Sequence, residues 1–546
     1  GEAVRASLLI EPSDRWSMTL VADYYNQHGK GSGAVLLPEA RYAVPALEDR
    51  VSVSDPVAQA AVRRLASTIF APPFCGGPGN FVNSGCVSLA GTDGFLDNKF
   101  FGVSATVVGD MDFATLTFIP AYRRSDTRFR TYLPGFAGDV TDLAEQTSLE
   151  VRLASREDQR LRYVLGVFYF GENQTTENFF RQGNIATTRF TPRLSTESIA
   201  AFGQLTFDIA DSLRLVAGGR YTKEDKQQFT SVASGGLPGP IAPPLSAPFT
   251  GDLSFEKFTW KGGLEWDAGP ASLVYAHVAT GFKSGGFFVA QPPANTFAPE
   301  ELTAYTLGAK NRFFDNKLQL NIEAFYWDYK DQQITFVGGV RTAGGIFAQG
   351  STTVNAGKSR IYGVEFEAKF APSRNDLFNL NVQYLNGKYN SLTTANFSPT
   401  GAPVTTGCAT LGSRLANPGV NGARFFDIDC SGRPTVNSPK WAVNLGYERT
   451  FELTGDLSLI FGARGNIESS RFLNSNYRRE ERQGSFAMAD AYLTLESAGG
   501  WSVTGFINNI TDEEVLARAG TRPILDFPVG TLRPPRTYGV RLGFNF

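Results

Sequence analysis

The chain has 546 residues and a formal net charge of −2; 13% of its residues are aromatic, 19% are charged, and it holds 57 glycines. Near-neutral charge without a basic block excludes an electrostatic nucleic-acid binder. No apolar run approaches the roughly 18 residues of a membrane-spanning helix, whereas aromatic- and glycine-rich sequence of modest charge suits closely spaced strands at a lipid interface.

Strict alternation marks the strands. About nineteen segments, most of roughly ten residues, read this way along the chain. Leu149, Val151 and Leu153 oppose Ser148, Glu150 and Arg152. Leu213, Leu215, Ala217, Gly219 and Tyr221 oppose Arg214, Val216 and Arg220. Further on, Leu318, Leu320, Ile322, Ala324 and Tyr326 oppose Lys317, Gln319, Asn321 and Glu323, and Trp441, Val443, Leu445 and Tyr447 oppose Asn444, Gly446 and Glu448. The last eleven residues set Tyr538, Val540, Leu542, Phe544 and Phe546 against Thr537, Gly539, Arg541, Gly543 and Asn545. Closing on an aromatic residue is how the last strand of a bacterial outer-membrane barrel commonly ends, so Phe546 is the candidate assembly signal. A soluble β-sandwich or propeller also alternates. Strand length, both charge signs on the polar face and the lack of a propeller-like repeat argue against it.

The connections add an independent argument. Short turns are expected at 11–15, 155–159, 209–212, 266–270, 314–316, 371–376 and 496–500, and long connections at 26–98, 122–145, 223–255, 282–300, 331–354, 386–439 and 510–535. Their alternation places all long loops at one end of an all-β, transmembrane, antiparallel up-and-down barrel, the extracellular end. The first and last strands both run inward, so an even-stranded barrel needs an odd number of strands before Gly1. Three would make about 22, the size of plugged transporters. Residues 1–546 are therefore expected to be one N-terminally truncated barrel domain, already lacking its signal peptide.

The remaining residues support walls and loops rather than catalysis. Arg152, Arg214, Arg220, Glu323 and Arg541 are expected on the lumen wall, and no nucleophile–His–acid arrangement accompanies them. Cys75 and Cys86 fall in one predicted extracellular loop, Cys408 and Cys430 in another. Export through an oxidising compartment makes two loop disulfides the expectation, with pairing across the loops left open. A zinc site wants four converging ligands, and only His28 and His277 are available beside these cysteines. Asp427 and Asp429 beside Cys430 are read as solvated loop acids before a calcium site. The glycine-rich run 29–33 lacks the strand–loop–helix context of a phosphate-binding loop. Phe287, Phe288 and Phe347 are loop aromatics suited equally to an organic ligand and to the interface. No cofactor is required.

Several landmarks occur in order. Ala279–Phe287 reads A-T-G-F-K-S-G-G-F, followed by Pro299-Glu300, by Tyr305–Lys310 (Y-T-L-G-A-K) and by Phe325–Gln332 (F-Y-W-D-Y-K-D-Q). Asn355–Lys358, Gly363–Glu365, Asn508–Asp512 and Pro535–Val540 complete the series. Their ordered combination resembles the barrel of TonB-dependent receptors, nearest the iron–siderophore branch. The resemblance implies active uptake of a scarce nutrient across the bacterial outer membrane, most readily a ferric siderophore. Implied partners are outer-membrane lipid, the TonB–ExbB–ExbD complex acting through a plug domain, and the barrel assembly machinery, with the receptor monomeric. Neither a plug nor a TonB-contact box precedes the barrel in this sequence. Oligosaccharide, cobalamin-like or aromatic cargo fits the same motifs, and a passive diffusion channel is the reading from another class.

Overall fold

The computed structural model describes residues 1–30, 35–37, 51–52, 94–133, 136–182, 186–236, 247–288, 295–341, 347–355, 357–398, 401, 403–415, 424–521 and 528–545. Nineteen long strands form one antiparallel transmembrane barrel wall, each paired with its neighbours in the chain. They are β1 (Glu2–Ser13), β2 (Trp16–Gly29), β3 (Phe95–Asp110), β4 (Ala114–Leu133), β5 (Phe136–Ser155) and β6 (Leu161–Gln182). Next come β7 (Arg193–Ala210), β8 (Leu213–Thr230), β9 (Phe249–Gly269), β10 (Ser272–Lys283), β11 (Glu300–Phe313), β12 (Leu318–Lys330) and β13 (Ser359–Ser373). The wall ends with β14 (Asp376–Tyr389), β15 (Trp441–Thr454), β16 (Leu457–Glu468), β17 (Phe486–Ser497), β18 (Trp501–Asn508) and β19 (Thr537–Phe544). Two short strands, Ala186–Phe190 and Val232–Gly236, extend the sheet beside the far end of β6.

The nine connections at one end all have two to five residues; the other nine lie at the opposite end. Residues of the short turns accept backbone angles that tighten the chain. Phe314, Asp315 and Asn316 sit at φ 54°, 53° and 66° between β11 and β12. Gly500, at φ 84°, turns β17 into β18 where a Cβ would lie 2.6 Å from the Asn545 carbonyl oxygen, a place only glycine fills without strain. Among the described residues β1 pairs only with β2 and β19 only with β18, and these two edge strands run in the same direction.

The outer face is a lipid-facing surface with an internal order. Trp16, Phe207, Trp266, Phe378 and Trp501 lie near the short turns, and Tyr24, Tyr221, Tyr305, Tyr362 and Trp441 lie toward the long connections; all are exposed. Between these belts stand Leu205, Leu215, Leu264, Leu307 (58% exposed), Ile322 and Leu445. Apolar side chains outward, with aromatic rings at both margins, match a hydrocarbon layer between two headgroup zones.

Strands run further than their hydrophobicity announces. Residues 122–145, expected as a loop, are continuous hairpin: β4 and β5 pair from Ala114 with Ser155 up to Leu133 with Phe136. Likewise, 223–255 is loop only in part, since β8 continues to Thr230 and β9 begins at Phe249. These extensions stand clear of the hydrocarbon, where water wets both faces and apolar alternation is no longer needed. Polar cross-strand pairs replace it. Tyr122 and Arg124 both donate to Glu145, at 2.9 and 3.1 Å, and Arg130 pairs with Asp139.

The best-packed apolar residues are in the loops, not the wall. Phe425, Leu392, Ile428, Leu516 and Val515 are fully buried there. Thr393–Ser398, Arg424–Asp429 and Ala409–Leu415 form a three-stranded sheet with the middle segment at its centre. Gln333–Arg341 pairs with Phe347–Asn355, and Leu516–Thr521 with Pro528–Leu532. The expected loop 510–535 is thus a folded hairpin, joined at Val35–Leu36 to the first long connection.

Candidate functional site: lumen wall and loop layer

The register decides which side chains meet the lumen. Arg152, Arg214, Arg220, Glu323 and Arg541 all take the face opposite the exposed apolar row, as their alternation requires. They are dispersed over the wall and do not converge. Arg214 is gripped by Glu265 at 3.0 Å and by both oxygens of Asp267, one at 2.8 Å. A neighbouring pair, Arg162 with Asp208 at 2.6 Å, continues this belt near the short turns. Arg152 lies 3.6 Å from Glu150. Arg220 spreads its guanidinium over the rings of Phe168 and Phe202 at 5.4 and 5.5 Å, and Arg541 lies 5.8 Å from the Phe506 centroid. Such cation–π placement holds an arginine without a carboxylate. His277 stacks on Tyr275 in the same wall, centroids 6.0 Å apart, and is a wall residue. His28, on an exposed strand end, stands 3.9 Å from Asp97.

Above the wall, Cys408 and Cys430 are joined in a disulfide, with Cα atoms 4.9 Å apart. The bond ties one end of the three-stranded loop sheet to a core of Tyr389, Leu392, Phe426, Ile428 and Tyr477. Tyr477 donates to the Pro434 carbonyl, and burial followed by the neighbouring Tyr389 raises its phenol above the ordinary value. Cys75 and Cys86 lie outside the described residues, as do Phe546 and most of the glycine run 29–33.

Asp427 and Asp429 do not converge on a cation site. Asp427 is bound by Arg414 at 2.7 Å, and Asp429 caps a turn by accepting from the Ser431 backbone at 2.9 Å. The Ser431 side chain and backbone together hold the Asp429 carboxyl below its usual range. Among the described residues no cluster of three His, Cys, Asp or Glu side chains is placed to hold a metal. Of the loop aromatics, Phe287 is half-buried against Gly251 and Phe288 is fixed through its backbone N to Asn295, 2.9 Å away. Phe347 only opens the second strand of its hairpin.

The connection between β16 and β17, residues 469–485, escapes the alternation argument altogether, yet it carries much of the loop layer's polar structure. Arg471 pairs with Glu468, which also accepts from Arg533 at 3.1 Å, and Arg533 lies over the Phe486 ring at 5.1 Å. Gln483 Oε1 accepts from the Leu516 backbone at 2.7 Å. The polar run N-S-N-Y-R-R-E-E-R-Q-G from Asn474 is the one signal that marks it as a loop.

The family described as TonB dependent receptor-like, beta-barrel matches residues 74–510. The pesticin receptor of Yersinia pestis is 27% identical over 230 residues, which are 41% of this chain and 31% of that protein. The chain thus matches about a third of that relative's length. Among solved structures, the ferric yersiniabactin uptake receptor of Yersinia pestis superposes with a TM-score of 0.72 at 15% identity, covering 100% of this chain and 70% of that one. A siderophore receptor of Acinetobacter baumannii gives 0.69 at 13% identity, covering 99% and 74%. At such identities the two structures share the fold. With four-fifths of the chain inside the family match, this protein belongs to the TonB-dependent receptor-like β-barrels of the bacterial outer membrane.

Proposed function

We propose that the protein is the barrel of a receptor that imports a ferric siderophore across the outer membrane, energised through the TonB–ExbB–ExbD complex. The observation that carries this reading is the folded, disulfide-tied loop layer standing over a polar lumen. That arrangement suits capture of a scarce solute outside and passage through a wide wall inside. Two of its structural neighbours are named as a ferric yersiniabactin uptake receptor and a siderophore receptor, and those names favour iron. A wall of nineteen strands already exceeds the 16–18 of general porins, which disfavours free diffusion as the task. Outer-membrane lipid and the barrel assembly machinery are the further partners this reading requires. Because a siderophore chelates its own iron, the scarcity of histidine does not oppose it.

The test is uptake of radiolabelled ferric siderophore by cells producing the full-length protein, compared with a deletion strain and with cells whose proton-motive force is collapsed. Uptake that needs both the protein and the gradient supports the proposal. Protein-dependent uptake that ignores the gradient would turn it into a diffusion channel, and abundance unchanged by iron starvation would point to another nutrient.

A further inference from the structure

The wall formed by β14, β15 and β16 carries a row of carboxamides just beneath the loop layer. Asn381, Asn444 and Asn466 stand directly opposite one another in register. The Asn466 amide donates to Asn444 Oδ1 at 2.9 Å, while its own Oδ1 is buried and accepts no hydrogen bond among the described residues. One row deeper come Asn379, Gly446, Arg464 and Asp490. Gly446 puts no side chain into that deeper row, where a Cβ would sit in ordinary van der Waals contact 3.7 Å from Asn379. Arg533, from the connection between β18 and β19, completes the lining. Together these residues line a cavity of about 490 Å³ that opens on the lumen.

Each group has a defined chemical capacity. A carboxamide both donates and accepts, which matches an alcohol. A guanidinium matches a carboxylate with two parallel bonds. Arg533 is held in place by its backbone bond to the Val515 carbonyl at 2.7 Å and by Glu468, and Arg464 rests over the Tyr492 ring at 5.7 Å. Asp490, the acid in the cavity, is already engaged by the Asn509 backbone at 2.7 Å.

We propose that this cavity is a subsite for a hydroxycarboxylate group, its hydroxyls on the Asn381–Asn444–Asn466 row and its carboxylate between Arg464 and Arg533. This deepens the import reading and rests on it for its purpose: the cargo, or its iron-binding arm, carries neighbouring hydroxyl and carboxylate oxygens.

The test uses the purified full-length receptor in detergent and three probes: gluconate, glucose and propionate. Binding is followed by ligand-observed NMR. Gluconate is expected to bind at least tenfold tighter than glucose, which offers only hydroxyls, and than propionate, which offers only a carboxylate. Arg533→Gln combined with Asn381→Leu should raise the gluconate Kd about tenfold. Folding of each variant is read from its heat-dependent migration in gels. Should that pair not fold, Asn444→Asp, nearly isosteric, is expected to raise the gluconate Kd about tenfold by placing a negative charge in the row. Gluconate binding no tighter than its two part-probes, or unchanged in the folded variants, would overturn the subsite. Siderophore uptake by wild-type cells is scored separately. Its absence would remove the import reading without altering the gluconate result, and its persistence alongside absent gluconate binding would remove only the subsite.

Discussion

The Tyr275 hydroxyl donates to Glu323 Oε2 at 2.6 Å across a whole intervening strand, passing over Gly308. A Cβ on Gly308 would lie 2.4 Å from the phenol, so the clasp exists because that residue has no side chain. The wall repeats the device: Tyr492 reaches Glu448 across Gly462, where a Cβ would come within 2.1 Å of the ring. Each clasp ties three strands at one register.

Replacing Gly308 by Ala should therefore push Tyr275 off Glu323 and destabilise the folded barrel by about 1–3 kcal/mol, the range for inserting a methyl into a filled site. Tyr275→Phe, which keeps the ring and loses only the bond, should cost roughly 1–2 kcal/mol. Urea titrations of folding into lipid vesicles measure both. Equal stability of Gly308→Ala and wild type would mean that the clasp contributes nothing.

Leu307 and Thr306 are adjacent in β11 but face lipid and lumen respectively. Leu307→Arg should destabilise by about 2–4 kcal/mol if the residue lies near the bilayer midplane, and Thr306→Arg by far less, because the lumen is wet. The same vesicle titration compares them. Similar penalties for the two would show that the inner face is not hydrated.

Reduction of Cys408–Cys430, or its replacement by Ser at both positions, should loosen the loop sheet and leave the wall intact. The crosslink spans a sequence separation of 22, for which loop-closure entropy gives about 3 kcal/mol. Hydrogen exchange at Ile428 should accelerate by about two orders of magnitude, while exchange in β15 and β16 stays unchanged. Accelerated exchange throughout would mean that loops and wall unfold together.

Arg214 holds two carboxylates at once and its side chain is mostly shielded (19% exposed). Arg214→Ala leaves Glu265 and Asp267 facing each other, and should cost about 1–3 kcal/mol, partly relieved by salt. Restoring stability with Asp267→Asn in the same background would confirm that repulsion is the cause. No recovery would assign the loss to packing of the arginine stem.

The sequence by itself determined the wall. Alternation in β5, β8, β12 and β15, and the regular exchange of short and long connections, are consequences of period-two side-chain direction and of a solvent that changes from lipid to water across one sheet. They gave the strand number, the inward face of Arg214 and Glu323, and the end at which the loops gather. The tertiary structure decided what alternation cannot carry. Polar hairpin ends such as Tyr122–Glu145 keep pairing where both faces are wet, so hydrophobicity falls silent while hydrogen bonding continues. The β16–β17 connection has no period at all, and its Arg471 and Gln483 acquire meaning only beside Glu468 and Leu516. Asn381, Asn444 and Asn466 are far apart in the chain; one row arises from them because three strands happen to share a register, and a register shift of one would turn each amide toward lipid. Local pattern fixes which way a side chain points, and only the paired sheet fixes what it points beside.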